Sequence, residues 1–171
     1  DLTEMNDDND NGGSDFPVTL TWHSFSELIL YPWGHCQNCD NPDQDQLKYH
    51  GDVMATMSNY ENMQSSGLYP TSGDFCDWHY GLFNSYCYTM EIGNAFHERP
   101  ENIDDILLRN VGMGMYMIEI ADNPKERADL AIANISQQNY LLQPTMLTIP
   151  DEGNVPIDIC INNLFPYSQE N

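Results

Sequence analysis

A chain of 171 residues, 40% of them hydrophobic, is long enough to form one domain with a real core. Its 27 acidic against 5 basic residues leave a net charge of −22, which excludes nucleic acid and anionic membrane surfaces as partners, since phosphate contacts depend on Lys and Arg. The longest apolar runs, such as Leu28-Ile29-Leu30, fall far short of the ~20 residues of a spanning helix.

Residues 1–15 are acidic and Gly-rich. Within them Asp7-x-Asn9-x-Asn11-Gly12 has the opening spacing of a calcium loop, with oxygen ligands on alternate residues and Gly at the turn. Val18 stands where an EF-hand needs a bidentate carboxylate, which leaves a looser calcium site or a solvated loop. The chain opens on Asp without a hydrophobic targeting segment, so a processed or truncated N-terminus is expected. Secretion into a saline setting suits the charge, because screening relieves self-repulsion.

Val18-Thr19-Leu20-Thr21-Trp22 reads as a strand that gives way at His23-Ser24. A strand end holds a ligand rigidly, and His is a common ligand of catalytic zinc, but one His does not make a site. Asn41-Pro42-Asp43-Gln44 reads as a helix start, with Asn capping and Pro at the first helical position, and the helix is expected to reach about Met63. Leu47, Met54, Met57 and Tyr60 form its core stripe.

Tyr69 lies in a loop with Gly67, Pro70 and Gly73. The run Tyr86-Cys87-Tyr88-Thr89-Met90-Glu91-Ile92 reads as a second strand, and its carboxylate sits among apolar and hydroxyl side chains where desolvation raises a pKa towards the range of a general base. Asn102-Ile103-Asp104-Asp105 opens another helix, with Ile103, Ile106, Leu107, Val111, Met115 and Ile118 expected on one side of it. Gly112 and Gly114 weaken it unless close packing requires them. Beyond residue 122, the stretches 146–149 and 156–161, separated by Asp151-Glu152-Gly153-Asn154, read as a β-hairpin or the first strands of a β-sandwich.

Five cysteines leave at least one unpaired within the chain. Cys36-Gln37-Asn38-Cys39 is best read as a local disulfide, ahead of half a zinc site, and Cys76 with Cys87 is the second candidate pair. His79 and His97 are expected at the surface or behind a site, while His35 and His50 have no assigned role.

Three separated motifs carry a resemblance. They are His23-Ser-Phe-Ser-Glu-Leu-Ile-Leu-Tyr-Pro-Trp-Gly34, then Tyr69-x-Thr-Ser-Gly-Asp74-x-x-Asp77-Trp78-x-Tyr80-Gly81, then Tyr86-x-Tyr-Thr-Met-Glu91. In order, spacing and residue type this set resembles the zinc metallocarboxypeptidases of the carboxypeptidase A, B and T type, from about Val18 to about Ala121. The resemblance implies that His23 is the third zinc ligand, Glu91 the general base and Tyr69 the mobile phenol that closes over the substrate's C-terminal residue. It makes Asp77-Trp78 structural support, and it sets Cys76, Asp74 and Thr89 at a small, partly acidic substrate pocket. The fold implied is α/β, a mixed sheet with helices on both faces, partial and followed by the hairpin. Residues 1–15 form an acidic segment, 16–122 the C-terminal half of the catalytic domain, and 123–171 a linker with a strand-rich extension.

The family takes its other two zinc ligands from a His-x-x-Glu motif, and binds the substrate carboxylate and the oxyanion through arginines, all upstream of the third ligand. No His here is followed by Glu at the third position, and the three arginines, Arg99, Arg109 and Arg127, all come after His23. The expected function is therefore a secreted zinc carboxypeptidase acting on peptides or proteins with a free C-terminus, inactive as this chain alone. One zinc ion would be completed by an N-terminal half of the same protein. The alternative is a non-catalytic binding or structural module on the same scaffold.

Overall fold

Residue alternation on one central strand organises this protein. The computed structural model describes the backbone of residues 15–141, Asn38 excepted, and side chains as far as Ile135. The calcium-loop residues Asp7, Asn9 and Asn11, the strands expected at 146–149 and 156–161, and Cys160 lie outside the described residues. The described residues divide between Asp129 and Leu130 into two units.

In the first unit β1 (Val18–His23) runs parallel to β4 (Tyr86–Glu91), with Val18 opposite Tyr86 and His23 opposite Glu91. On its other side β4 meets β2 (Leu28–Tyr31) antiparallel, and β2 runs parallel to β3 (Glu61–Gln64). The sheet is therefore mixed, in the order β1-β4-β2-β3. The two inner strands are almost wholly buried, as expected where helices cover both faces.

Successive β4 side chains point to opposite faces. Tyr88 Oη donates 2.8 Å to the Leu47 carbonyl of α1 (Gln44–Ser58), whereas Cys87 is bonded to Cys76 of α2 (Phe75–Phe83). Helices thus flank both faces, as expected. The face of Tyr86, Tyr88 and Met90 packs with Ile29, Leu47, Met54, Met113 and Met117 to make the core. The face of Cys87, Thr89 and Glu91 is left for the site.

Two expected elements require correction. The first helix stops at Ser58, because Asn59 turns left-handed at φ 61° and the Ser58 hydroxyl bonds back to the Met54 carbonyl at 2.9 Å. Residues 61–63, expected to be helical, belong instead to the edge strand β3 (Glu61–Gln64), and Met57 is exposed. The helix also starts later than expected, at Gln44 with Asp43 in the cap position, and Asn41 instead braces the turn before it, with Oδ1 accepting from the Asp43 N–H at 2.9 Å and Nδ2 donating to the Pro32 carbonyl at 2.7 Å.

The second correction concerns α3 (Pro100–Ile120), which opens with Pro in its first turn. Its buried face is Ile106, Asn110, Met113, Met117 and Ile120. Of the expected stripe only Ile106 is buried; Leu107 is 56%, Val111 61% and Ile118 70% exposed. This helix carries apolar residues around most of its circumference, so periodicity could not choose between its faces. Asn110 enters the seam because its Nδ2 donates to Tyr60 Oη at 3.0 Å and to the Ile106 carbonyl at 2.7 Å. A Cβ at Gly112 or Gly114 would meet no atom within 4 Å, so close packing within this unit does not require either glycine. The last helix, α4 (Pro124–Leu141), begins where a linker was expected. No helix among the described residues is long and apolar enough to cross a membrane.

Candidate active site

His23 closes β1 and Glu91 closes β4, so the parallel register delivers both side chains to the same end of the sheet. His23 Nδ1 lies 3.8 Å from Glu91 Oε1, and His23 Nε2 is 3.2 Å from the Thr21 hydroxyl. Burial pushes the Glu91 carboxyl above its ordinary value of 4.5, and the neighbouring His23 offsets part of that rise. A carboxylate whose proton affinity is raised beside an exposed imidazole suits general-base work.

Both residues line a cleft of about 360 Å3 together with Tyr69, Asp74, Thr89 and Leu30. Five of the six residues expected at the site therefore converge on one cavity. Tyr69 is 59% exposed at its rim, on the loop that follows the 3-10 turn Ser65–Gly67. Cys76, the sixth, is buried behind the wall rather than on it, disulfide-bonded to Cys87 with its sulfur 3.6 Å from the Thr89 hydroxyl.

Asp74 has two roles. It lines the cleft, and its Oδ1 accepts from the Cys76 and Asp77 N–H groups at 2.9 and 3.2 Å, capping α2. Its Oδ2 lies 3.4 Å from the Thr71 hydroxyl. The carboxylate charge is thus partly absorbed by the helix terminus, and the pocket is less acidic towards a ligand than the residue type alone suggests.

Asp77 supports the cleft from behind. Its carboxylate accepts from the Gly34 and His35 N–H groups at 2.7 and 2.9 Å and contacts His35 Nδ1 at 2.7 Å, tying the loop after β2 to α2. A Cβ at Gly34 would stand 2.5 Å from the Thr71 hydroxyl, so that close approach requires glycine. Trp33 packs edge-on to Tyr80 beneath this loop, with ring centroids 5.0 Å apart. Cys36 and Cys39 are joined as expected.

His79, expected at the surface or behind a site, is buried. His50, which had no assigned role, is fully buried and bonded to Tyr116 Oη at 2.6 Å and to the Pro124 carbonyl at 2.7 Å. Sequence reasoning missed Ser65 and Thr71 as lining residues. Ser65 was hidden because the strand leading to it read as the end of a helix. The left-handed Asn59 was the available signal.

Catalytic zinc takes about three protein ligands. Among the described residues no group of three or more His, Cys, Asp or Glu converges to hold a metal. His23 offers one imidazole, so these residues do not by themselves fit a complete zinc centre.

The sequence profile of the zinc carboxypeptidase family matches residues 4–111. A zinc carboxypeptidase of Saccharothrix mutabilis subsp. capreolus is 36% identical over 78 residues, 43% of this chain and 18% of that protein. A zinc carboxypeptidase of Simulium vittatum is 36% identical over 84 residues, 44% and 27% of the two chains. The mast cell carboxypeptidase A of Homo sapiens is 30% identical over 88 residues, 46% and 20% of the two chains. The match thus spans between 18% and 27% of these relatives' length. In fold, the structure of thrombin activatable fibrinolysis inhibitor superposes with a TM-score of 0.58 at 20% identity, over 61% of this chain and 29% of the other. The bovine form, in complex with tick carboxypeptidase inhibitor, gives 0.56 at 19% identity, over 69% and 40%.

Proposed function

Because this chain belongs to the zinc carboxypeptidase family, we propose that it is part of a secreted zinc-dependent enzyme that removes C-terminal residues from peptides and proteins. The observation that carries the reading is the cross-strand pair His23 and Glu91 at the mouth of a cleft rimmed by Tyr69. Two disulfides and the strongly acidic composition favour an extracellular setting.

In this reading His23 is one metal ligand, and the remaining ligands and the arginines that hold the substrate carboxylate come from polypeptide upstream of this segment. Zinc, when bound, supplies Lewis acidity at the scissile carbonyl. Glu91 takes a proton from the attacking water and passes it to the leaving amine, a transfer its raised pKa favours. Tyr69, on its exposed loop, closes over the terminal residue of the substrate. Asp74, Thr89 and the Cys76–Cys87 bridge behind them set the size and polarity of the pocket, which suits small or neutral polar side chains. By itself this chain is inactive.

Glu91→Gln in the complete enzyme tests the assignment. Turnover should fall by roughly 10²–10⁴ with the zinc content unchanged; retained turnover overturns the role of Glu91. A complete protein that holds no zinc and releases no C-terminal residues would instead be a non-catalytic module on this scaffold.

A further inference from the structure

The two disulfides stand in different settings. Cys76 and Cys87 are 2% and 0% exposed and join α2 to β4, elements that the packing of Tyr80 against Tyr86 also holds side by side. Cys36 and Cys39 are half-buried between exposed His35 and exposed Asp40, three positions apart in a stretch that belongs to no helix or strand. Disulfide exchange requires a thiolate to reach one of the sulfurs, so access separates a durable bridge from a labile one. The labile stretch also clasps one wall of the cleft. The Cys39 carbonyl accepts from Gln64 Nε2 at 2.8 Å, and Gln37 Nε2 donates to the Ser66 carbonyl at 3.5 Å. Ahead of the bridge, the Trp33 and Gly34 carbonyls accept from the Ser66 and Thr71 N–H groups at 3.2 and 2.9 Å. Ser65, Tyr69 and Thr71 of that wall line the cleft. Gly34 is held independently by Asp77, so the part of the clasp that depends on the bridge is Gln37 and Cys39.

We propose that Cys36–Cys39 is a thiol–disulfide exchange site, opened by dithiols while Cys76–Cys87 stays closed, and that its opening releases the wall that carries Ser65 and Tyr69. One thiolate of the dithiol attacks a sulfur of the pair; a new S–S bond forms, the Cys36–Cys39 bond breaks, and the other cysteine leaves as a thiolate that takes up a proton. The second thiol of the reductant then attacks its own sulfur in the mixed disulfide and expels the remaining cysteine, which is protonated in turn. Two electrons pass from the dithiol to the pair, and the dithiol ends as a cyclic disulfide. With the bridge open, Gln37 and Cys39 lose their fixed spacing, and the Gln64 and Ser66 bonds loosen with them. The cleft then keeps its His23 and Glu91 end, set by the β1–β4 register, and loses rigidity on the Tyr69 side. The inference stands apart from the enzymatic reading, since neither zinc nor turnover enters it.

The test uses the folded 171-residue chain, first alkylated without reductant so that every free thiol is capped. It is then held in graded dithiothreitol without denaturant, trapped with a second, isotopically distinct alkylating agent and mapped by peptide mass. Cys36 and Cys39 should be trapped at a dithiothreitol concentration roughly tenfold or more below that needed for Cys76 and Cys87. At the concentration that opens only the first bridge, amide exchange across residues 64–71 should quicken several-fold, that of β1 and β4 should stay unchanged, and reoxidation should restore the slow rate. Cys36→Ser/Cys39→Ser should show the quick exchange without reductant and no further response to it; the trapping on the unaltered chain needs no variant and stands whether or not this one folds. Four outcomes overturn the proposal: capping of Cys36 and Cys39 before reductant is added, reduction of both bridges together, reduction only as the whole chain unfolds, or unchanged exchange across residues 64–71 once the first bridge is open.

Discussion

His23 and Glu91 are register partners across the parallel β1–β4 ladder, with Nδ1 and Oε1 3.8 Å apart. The carboxyl is held above its ordinary pKa of 4.5 by burial, so its ionised form is disfavoured in the fold. A folded value above the unfolded one means that this contribution to stability is present at low pH and lost as pH rises through the folded value.

Glu91→Gln in the 171-residue chain is therefore expected to raise stability at pH 7, by about 1 °C in Tm, because the site is half open and solvent discounts the effect. At pH 4, where the acid is largely neutral, the gain should vanish. Thermal denaturation at both pH values checks this, and a lower Tm at pH 7 would mean that the ion pair with His23 outweighs desolvation.

The two disulfides should differ in worth. Cys76 and Cys87 are eleven residues apart, and Cys36 and Cys39 only three, so the chain-entropy account gives about 3 and about 2 kcal/mol respectively. Urea denaturation of Cys76→Ser/Cys87→Ser and of Cys36→Ser/Cys39→Ser should rank them in that order. The buried pair also ties α2 to β4 behind Thr89, so its loss should loosen the cleft.

Acid should destabilise the fold through two buried imidazoles. Burial lowers the pKa of both His50 and His79 below 6.5, so the unfolded chain binds protons that the folded one refuses. Stability is complete above about pH 6.5 and declines as pH falls below it. The urea midpoint measured from pH 7 to pH 5 should drop; a flat profile would show that these rings are accessible to protons in the native state.

Gly112→Ala should stabilise α3 by up to about 1 kcal/mol, since Gly is the weaker helix former and a Cβ there meets open space. A decrease in the urea midpoint of the 171-residue chain would contradict that space.

Much of the candidate site was legible in one dimension because its residues sit at the ends of strands with strong local patterns. Val18–His23 and Tyr86–Glu91 read as strands from β-branched and aromatic content, and the three spaced motifs brought His23, Tyr69, Asp74, Thr89 and Glu91 to one place. The Cys36–Cys39 bridge was legible from its close spacing, whereas Cys76 and Cys87 stood only as a second candidate pair until the fold brought α2 against β4. The dual engagement of Asp74 was not, because a helix cap depends on where the backbone turns.

By itself the sequence determined the strands β1 and β4, the family and the chemical types gathered at the cleft, since these follow from local patterning and motif spacing. Only the tertiary structure decided where α1 stops and β3 begins, through the left-handed Asn59. It alone chose the buried face of α3, because a helix apolar on several sides is oriented by what it packs against: here α1 and the sheet take Met113 and Met117, leaving Val111 and Ile118 in the open.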